Sequence, residues 1–137
     1  MADRVKKIYY YYAIVDDKPG EGRKLLEFCS AHGVNLLNLT AFPVGGGKAQ
    51  IDFFPEYGEK LKHAAEDAGI PLVGPKKAFI IQGSEKVGAL IEYHLKLANE
   101  GINIAAANGT SDGQGGFGYI IWVNPEDYDK AAKVLGV

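Results

Sequence analysis

The sequence predicts an α+β fold made of a duplicated βαββαβ unit, with antiparallel sheets and the helices on one face. Three observations carry that prediction. An aromatic, β-branched run (Ile8 to Val15) meets a helix-like run (Arg23 to His32) at Asp17-Lys18-Pro19-Gly20. A second strand-like run meets a second helical pattern at Glu85-Lys86-Val87-Gly88. The punctuation also recurs in register. Gly20, Gly33 and Asn35 return 68 positions later as Gly88, Gly101 and Asn103. Leu61, Ala64, Ala65, Ala68 and Gly69 return 67 positions later as Tyr128, Ala131, Ala132, Leu135 and Gly136. Two matched helix faces at nearly one offset mark an internal duplication.

Each element has a local reason. Ile8 to Val15 is rich in residues that suit a pleated surface, and its four consecutive tyrosines put two rings on each face of a strand. Asp17 suits a helix N-cap, Pro19 the first turn, and Gly20 a sharp backbone bend. The following helix shows Leu25, Leu26 and Cys29 on one side and stops at His32-Gly33. Val34 to Phe42 and Ala49 to Phe54 read as strands joined by a glycine turn. Leu61, Ala64, Ala65 and Ala68 stripe a short helix from about Tyr57 to Ala68. Ile70 to Val73 reads as a short edge strand, limited by Pro71. The order then repeats: strand Ala78 to Gln82, helix Val87 to Glu100, strand Ile102 to Ala107, glycine turn, strand Tyr119 to Val123, helix Pro125 to Leu135. Residues 1–74 form the first predicted repeat and 75–137 the second, which lacks its last strand. The resulting open sheet edge calls for cover by the other repeat or by a second chain, so a homodimer is expected.

Composition narrows the function classes. A hydrophobic share of 47% with 23% charged residues is a globular balance and argues against disorder. No apolar run approaches the roughly 20 residues a membrane helix needs, and no signal peptide is evident, so a cytoplasmic protein is expected. The single cysteine, Cys29, excludes an internal disulfide and a cysteine-based zinc site. A net charge of −2 without a basic block weakens the case for nucleic acid. His32, His63 and His94 are scattered and pair with nothing at ligand spacing, and no Ser or Thr has a recognisable catalytic partner. Neither an enzyme, a metal site nor a cofactor is predicted.

Two glycine motifs do not bind nucleotides. Gly113 to Gly118 matches G-x-G-x-x-G but leads into a strand instead of opening a helix, and Gly45-Gly46-Gly47-Lys48 lacks the spacing of a phosphate loop. Both read as hairpin turns.

The recurring pattern of strand, Asp-Lys-Pro-Gly, helix, Gly-Val-Asn, strand resembles the ACT domain, a small ligand-sensing module attached to many enzymes of amino-acid metabolism. The resemblance spans nearly the whole chain as two ferredoxin-like copies. It implies an amino-acid site at an interface between domains, formed by the strand-to-helix loop and the asparagine. Asp17, Lys18, Pro19, Gly20 and Asn35 match those positions in the first copy; Glu85, Gly88 and Asn103 match in the second. The chemistry suits the role. Main-chain N–H groups at a helix start attract a carboxylate, an acid can hold an ammonium group, and Asn both donates and accepts. The same residues also read as capped helix starts and structural asparagines. Val87 replaces the proline in the second copy, which makes the first the better binder on this reading.

The sequence therefore predicts a non-catalytic small-molecule sensor or regulatory protein. One alternative is a ligand-free module that regulates a metabolic enzyme by contact. Another is a single-strand RNA binder, because Gly116 to Trp122 resembles the longer motif of the RNA recognition module, with Phe79 to Gln82 as the shorter. Gly115 stands where that motif needs Lys or Arg.

Overall fold

The computed structural model describes residues 3–137, and the chain forms two compact units. The first is Tyr9–Lys76; the second is Lys77–Val137 together with the N-terminal residues through Ile8. Chain order is β1 (Arg4–Asp16), α1 (Glu21–Ala31), β2 (Leu36–Gly45), β3 (Lys48–Pro55), α2 (Gly58–Ala68), β4 (Val73–Ser84), α3 (Ile91–Asn99), β5 (Ile104–Ser111), β6 (Gly116–Val123) and α4 (Tyr128–Leu135). A 3-10 turn, Pro125–Asp127, leads into α4.

In the first unit β3 lies antiparallel between β1 and β2, with Tyr11 opposite Phe53 and Ala41 opposite Ile51. Alternation along β1 decides which tyrosines are buried. Tyr11 and Ala13 join Ile51, Phe53, Cys29, Val34 and Leu61 in the core beneath α1 and α2. Tyr10 and Tyr12 point to the other face, where Tyr10 stacks on Phe54 at 4.9 Å and Lys76 lies over the Tyr12 ring. Gly69 ends α2 with φ 70, and Ile70 donates back to the Ala65 carbonyl.

The strands expected on either side of Pro75 are one continuous β4. Gly74 permits this: a Cβ there would come within 2.8 Å of the Tyr10 carbonyl oxygen, so the backbone approaches β1 where a side chain would not fit. Val73 to Lys76 thus falls within the first unit.

The second unit has the same plan. β6 lies antiparallel between β4 and β5, with Phe79 opposite Ile121 and Gly109 opposite Tyr119. Phe79, Ile81, Tyr93, Leu97, Ile121, Tyr128 and Ala131 fill its core, and the Phe79 and Tyr128 rings stack at 4.7 Å. Among the described residues no strand follows α4. The N-terminal residues through Ile8 belong to the unit instead: Val5 packs on its core and Asp3 accepts a hydrogen bond from Tyr93 Oη. Burial and the Asp3 carboxylate together hold the Tyr93 phenol well above its ordinary range.

The helix starts differ from expectation. The N-cap of α1 is Gly20, at φ 92, and no side chain caps it. The main-chain N–H of Asp17 instead donates to the Gly47 carbonyl at 2.9 Å. In the second copy α3 begins at Ile91 rather than Val87, and Val87 to Leu90 wind as turns, with Ala89 donating to Lys86 and Ile91 to Gly88. Among the described residues no helix is long and apolar enough to cross a membrane.

Candidate functional site

The loosened start of α3 frames a cavity of about 470 Å³ in the second unit. One wall is the β4–α3 loop and first helical residue: Glu85, Lys86, Gly88, Ala89, Leu90 and Ile91. The other is the β5–β6 hairpin, through Gly109, Thr110, Ser111, Phe117, Gly118 and Tyr119. Gly88 takes the left-handed conformation (φ 75) that turns the loop outward.

Tyr119 lies at the back of this space, 7% exposed, with its ring close over Gly109. A Cβ at Gly109 would stand 2.7 Å from Tyr119 Cδ1, so glycine is what lets the ring lie flat on β5. Tyr119 Oη is 2.7 Å from His94 Nε2, a hydrogen bond that pins the ring to α3. Burial pushes the phenol up from its usual value, so it stays neutral. His94 therefore has a defined polar partner.

The hairpin carrying the far wall is tied off by Asp112. Its Oδ1 accepts from the main-chain N–H groups of Gln114 (2.6 Å) and Gly116 (3.0 Å). Those donors hold the carboxyl below the ordinary carboxylate range. Gly113 to Gly116 is thus a closed turn that β6 leaves directly. Phe117, Tyr119 and Ile121 all face the helices, and Tyr119 and Ile121 are buried. That orientation takes Phe117 and Tyr119 of the RNA-like motif away from an open stacking surface of the kind single strands require, while Trp122 alternates to the other face and is half-buried.

The two copies share a skeleton here and differ in what covers it. Glu85 donates its main-chain N–H to Gly115 at 2.7 Å, as Asp17 does to Gly47. In the first copy, however, Lys48 Nζ sits 2.6 Å from Asp16 Oδ1 and Lys18 lies 3.5 Å from Glu21, which places an ionic cluster on the loop. The matching positions of Asp16 and Lys48 in the second copy hold Ser84 and Gly116. Gly22 and Ile51, near contact at 3.9 Å from a Cβ built on Gly22, are matched by Leu90 and Tyr119, which line the cavity.

Of the residues singled out from sequence, Glu85 and Gly88 line the cavity and Asn103 does not. Asn103 precedes β5, whereas the loop lies beside the other end of that strand at Thr110 and Ser111. Seven residue steps of strand separate them, roughly 24 Å. Asn35 is placed the same way. Its carbonyl accepts from Glu56 at one end of β3, while Asp17, Lys18, Pro19 and Gly20 lie by Gly47 and Lys48 at the other. Within one unit, then, acid and glycine come together and the asparagine stands apart. The sequence did not mark Gly109, Leu90 and Ile91, and it marked Tyr119 only within the RNA-like stretch Gly116 to Trp122. The alternation Phe117, Tyr119, Ile121 was the available signal, since it puts two aromatic rings on the helix side of β6.

Solved structures share this architecture. A protein from Bacteroides thetaiotaomicron superposes with a TM-score of 0.81 at 17% identity, over 96% of this chain and 88% of that one. The regulatory subunit of aspartate kinase from Thermus thermophilus, in its ligand-free form, gives a TM-score of 0.65 at 16% identity, over 98% and 94%. Its counterpart from Thermus flavus gives 0.63 at 14% identity, over 99% and 95%. The fold is that of two ACT domains in tandem. No protein-family model and no curated protein matches the sequence. Each unit keeps its loop-on-hairpin junction, and the second couples that junction to a cavity of small-molecule size.

Proposed function

We propose that the protein is a non-catalytic regulatory module that binds an amino acid in the cavity of its second ACT unit. The observation that carries this reading is the cavity itself, framed by the β4–α3 loop and the β5–β6 hairpin. Its rim has the chemistry a zwitterion needs. Glu85 offers a carboxylate to an ammonium group, and Lys86 offers an ammonium to a carboxylate. Thr110 and Ser111 add hydroxyl groups that donate or accept. The regulatory role is supported by the neighbours, two of which are regulatory subunits of aspartate kinase. In this proposal Asp17, Lys18, Pro19, Gly20 and Asn35 serve the first unit as structure, and Asn103 reaches a ligand only when a second chain brings it there.

A thermal-shift panel of amino acids and nucleotides tests the reading, because a ligand specific to the native state raises its stability by mass action. An amino acid that raises the melting temperature, with the shift lost in Gly88→Val, supports it. A panel without any shift rejects it.

One observation favours a second reading. Ile91 and Leu95, four residues apart, form an apolar stripe on α3 that is 67% and 57% exposed, and Val87 in the preceding turn is fully exposed. A ligand-free contact module, or a homodimer, would use that stripe. Light scattering of the wild type and of Leu95→Glu tells the readings apart: an assembly lost in the variant, with no amino-acid response in either, selects the contact module.

A further inference from the structure

Given the ligand site proposed above, we infer that it selects an amino acid with a large apolar side chain, aromatic or branched, and excludes charged ones. The inference rests on where polar groups stand in the cavity. The two charged lining residues, Glu85 and Lys86, are both exposed and belong to the rim. Deeper in, the lining is Leu90, Phe117 and Tyr119, with Ile91 at the mouth. The Tyr119 hydroxyl is already joined to His94 at 2.7 Å, and the residue is buried.

With the zwitterion held at the rim, the side chain must enter that apolar part. An aromatic or branched aliphatic group exchanges water for contact with Leu90, Phe117 and Tyr119. A lysine ammonium or aspartate carboxylate would lose its hydration without finding an opposite charge, since none lines the interior. A volume of about 470 Å³ holds a whole amino acid as large as phenylalanine with its rim contacts, within the range of small-molecule sites. The first copy has no such selectivity to offer. Its positions matching Leu90, Ile91 and Phe117 are Gly22, Arg23 and Ala49, and Arg23 is paired with Glu27 at 2.7 Å.

Isothermal titration of the full chain with L-phenylalanine, L-leucine, L-lysine and L-aspartate decides the matter. The expected result is that phenylalanine or leucine binds roughly tenfold or more tighter than lysine and aspartate. Ile91→Lys, at an exposed position that leaves the core untouched, should weaken the apolar ligand by roughly tenfold. Lysine or aspartate binding as tightly as phenylalanine overturns the selectivity but leaves the site standing. Unchanged phenylalanine affinity in Ile91→Lys also overturns it. If none of the four binds, the ligand-site reading fails and the selectivity goes with it.

Discussion

Lys48 Nζ stands 2.6 Å from Asp16 Oδ1 beside the strand-to-helix loop of the first unit, and the matching positions in the second unit hold Ser84 and Gly116. The pair joins β3 to the end of β1 next to the loop, where a ligand would have to enter. Both side chains are about half exposed, so the pair adds little stability. Its effect is to occupy space and fix charge. The expected stoichiometry is therefore one ligand per chain, read by titration calorimetry, and Lys48→Ala should leave both the affinity and the melting temperature nearly unchanged. Two sites per chain in the wild type would contradict this assignment.

Lys48 also holds the Asp16 carboxyl below its ordinary value. The folded pKa is the lower one, so the contribution is present above the unfolded carboxylate pKa and fades as pH falls through the folded one. Asp112 behaves the same way, for a different reason: main-chain N–H groups of Gly116 and Gln114 stabilise its charge. Acid should thus loosen the β5–β6 hairpin before the core. Hydrogen exchange at Gln114 and Gly116 should accelerate relative to Ile121 as pH drops below the usual carboxylate range, after correction for intrinsic rates, and Asp112→Ala should show the fast exchange already at neutral pH.

The cavity depends on the pairing of Gly109 with Tyr119. Gly109→Ala puts a carbon 2.7 Å from Tyr119 Cδ1, and the ring, held by His94, has to swing into the ligand space. A cost of about 1–3 kcal/mol in urea unfolding is expected for such overpacking. Ligand affinity should fall with it. His94→Ala, which frees the ring, should restore part of the affinity lost in Gly109→Ala; no recovery in the double variant would show that the ring is not what blocks the space.

Much of this fold was legible because its signals are local. The apolar stripes Leu61-Ala64-Ala65 and Tyr128-Ala131-Ala132-Leu135 both proved buried, and Gly69 and Gly136 both take positive φ after their helices. The α+β class and the duplicated unit followed from those stripes. What stayed hidden joins residues far apart in sequence. Val5 packs on the second unit, Asp16 pairs with Lys48, and His94 meets Tyr119, and no periodicity encodes any of these contacts. The asparagines stand apart from the loops for a geometric reason. The helix between acid and asparagine returns the chain to the opposite end of the sheet, so Asn35 and Asn103 precede their strands about a strand's length from the loops of their own unit.

Phe79 anchors the second unit and tests whether its core carries the site. It is fully buried and stacks on Tyr128 at 4.7 Å. Phe79→Ala should cost about 3–5 kcal/mol, while Phe79→Leu should cost less because it leaves a smaller void. Denaturant unfolding gives both values. If the units unfold separately, the loss should appear in one transition only, followed through ligand protection of the second unit.

Asp52 offers the opposite pH dependence to Asp16. It lies on β3 with 5% exposure, opposite Tyr12 and Thr40, and accepts a hydrogen bond from Gln50 Nε2 at 2.8 Å. Burial raises its pKa despite that bond and the nearby Lys76 charge. A raised folded pKa means that the proton is held more tightly in the native state. The stability it contributes is therefore full below the unfolded pKa and is lost as pH rises through the folded one. Asp52→Asn keeps the shape, removes the buried charge and can still accept from Gln50. It should raise the melting temperature at neutral pH, and the gain should shrink steadily as pH falls into the carboxylate range. A gain that does not vary with pH would show that the charge of Asp52 is not the source of the cost.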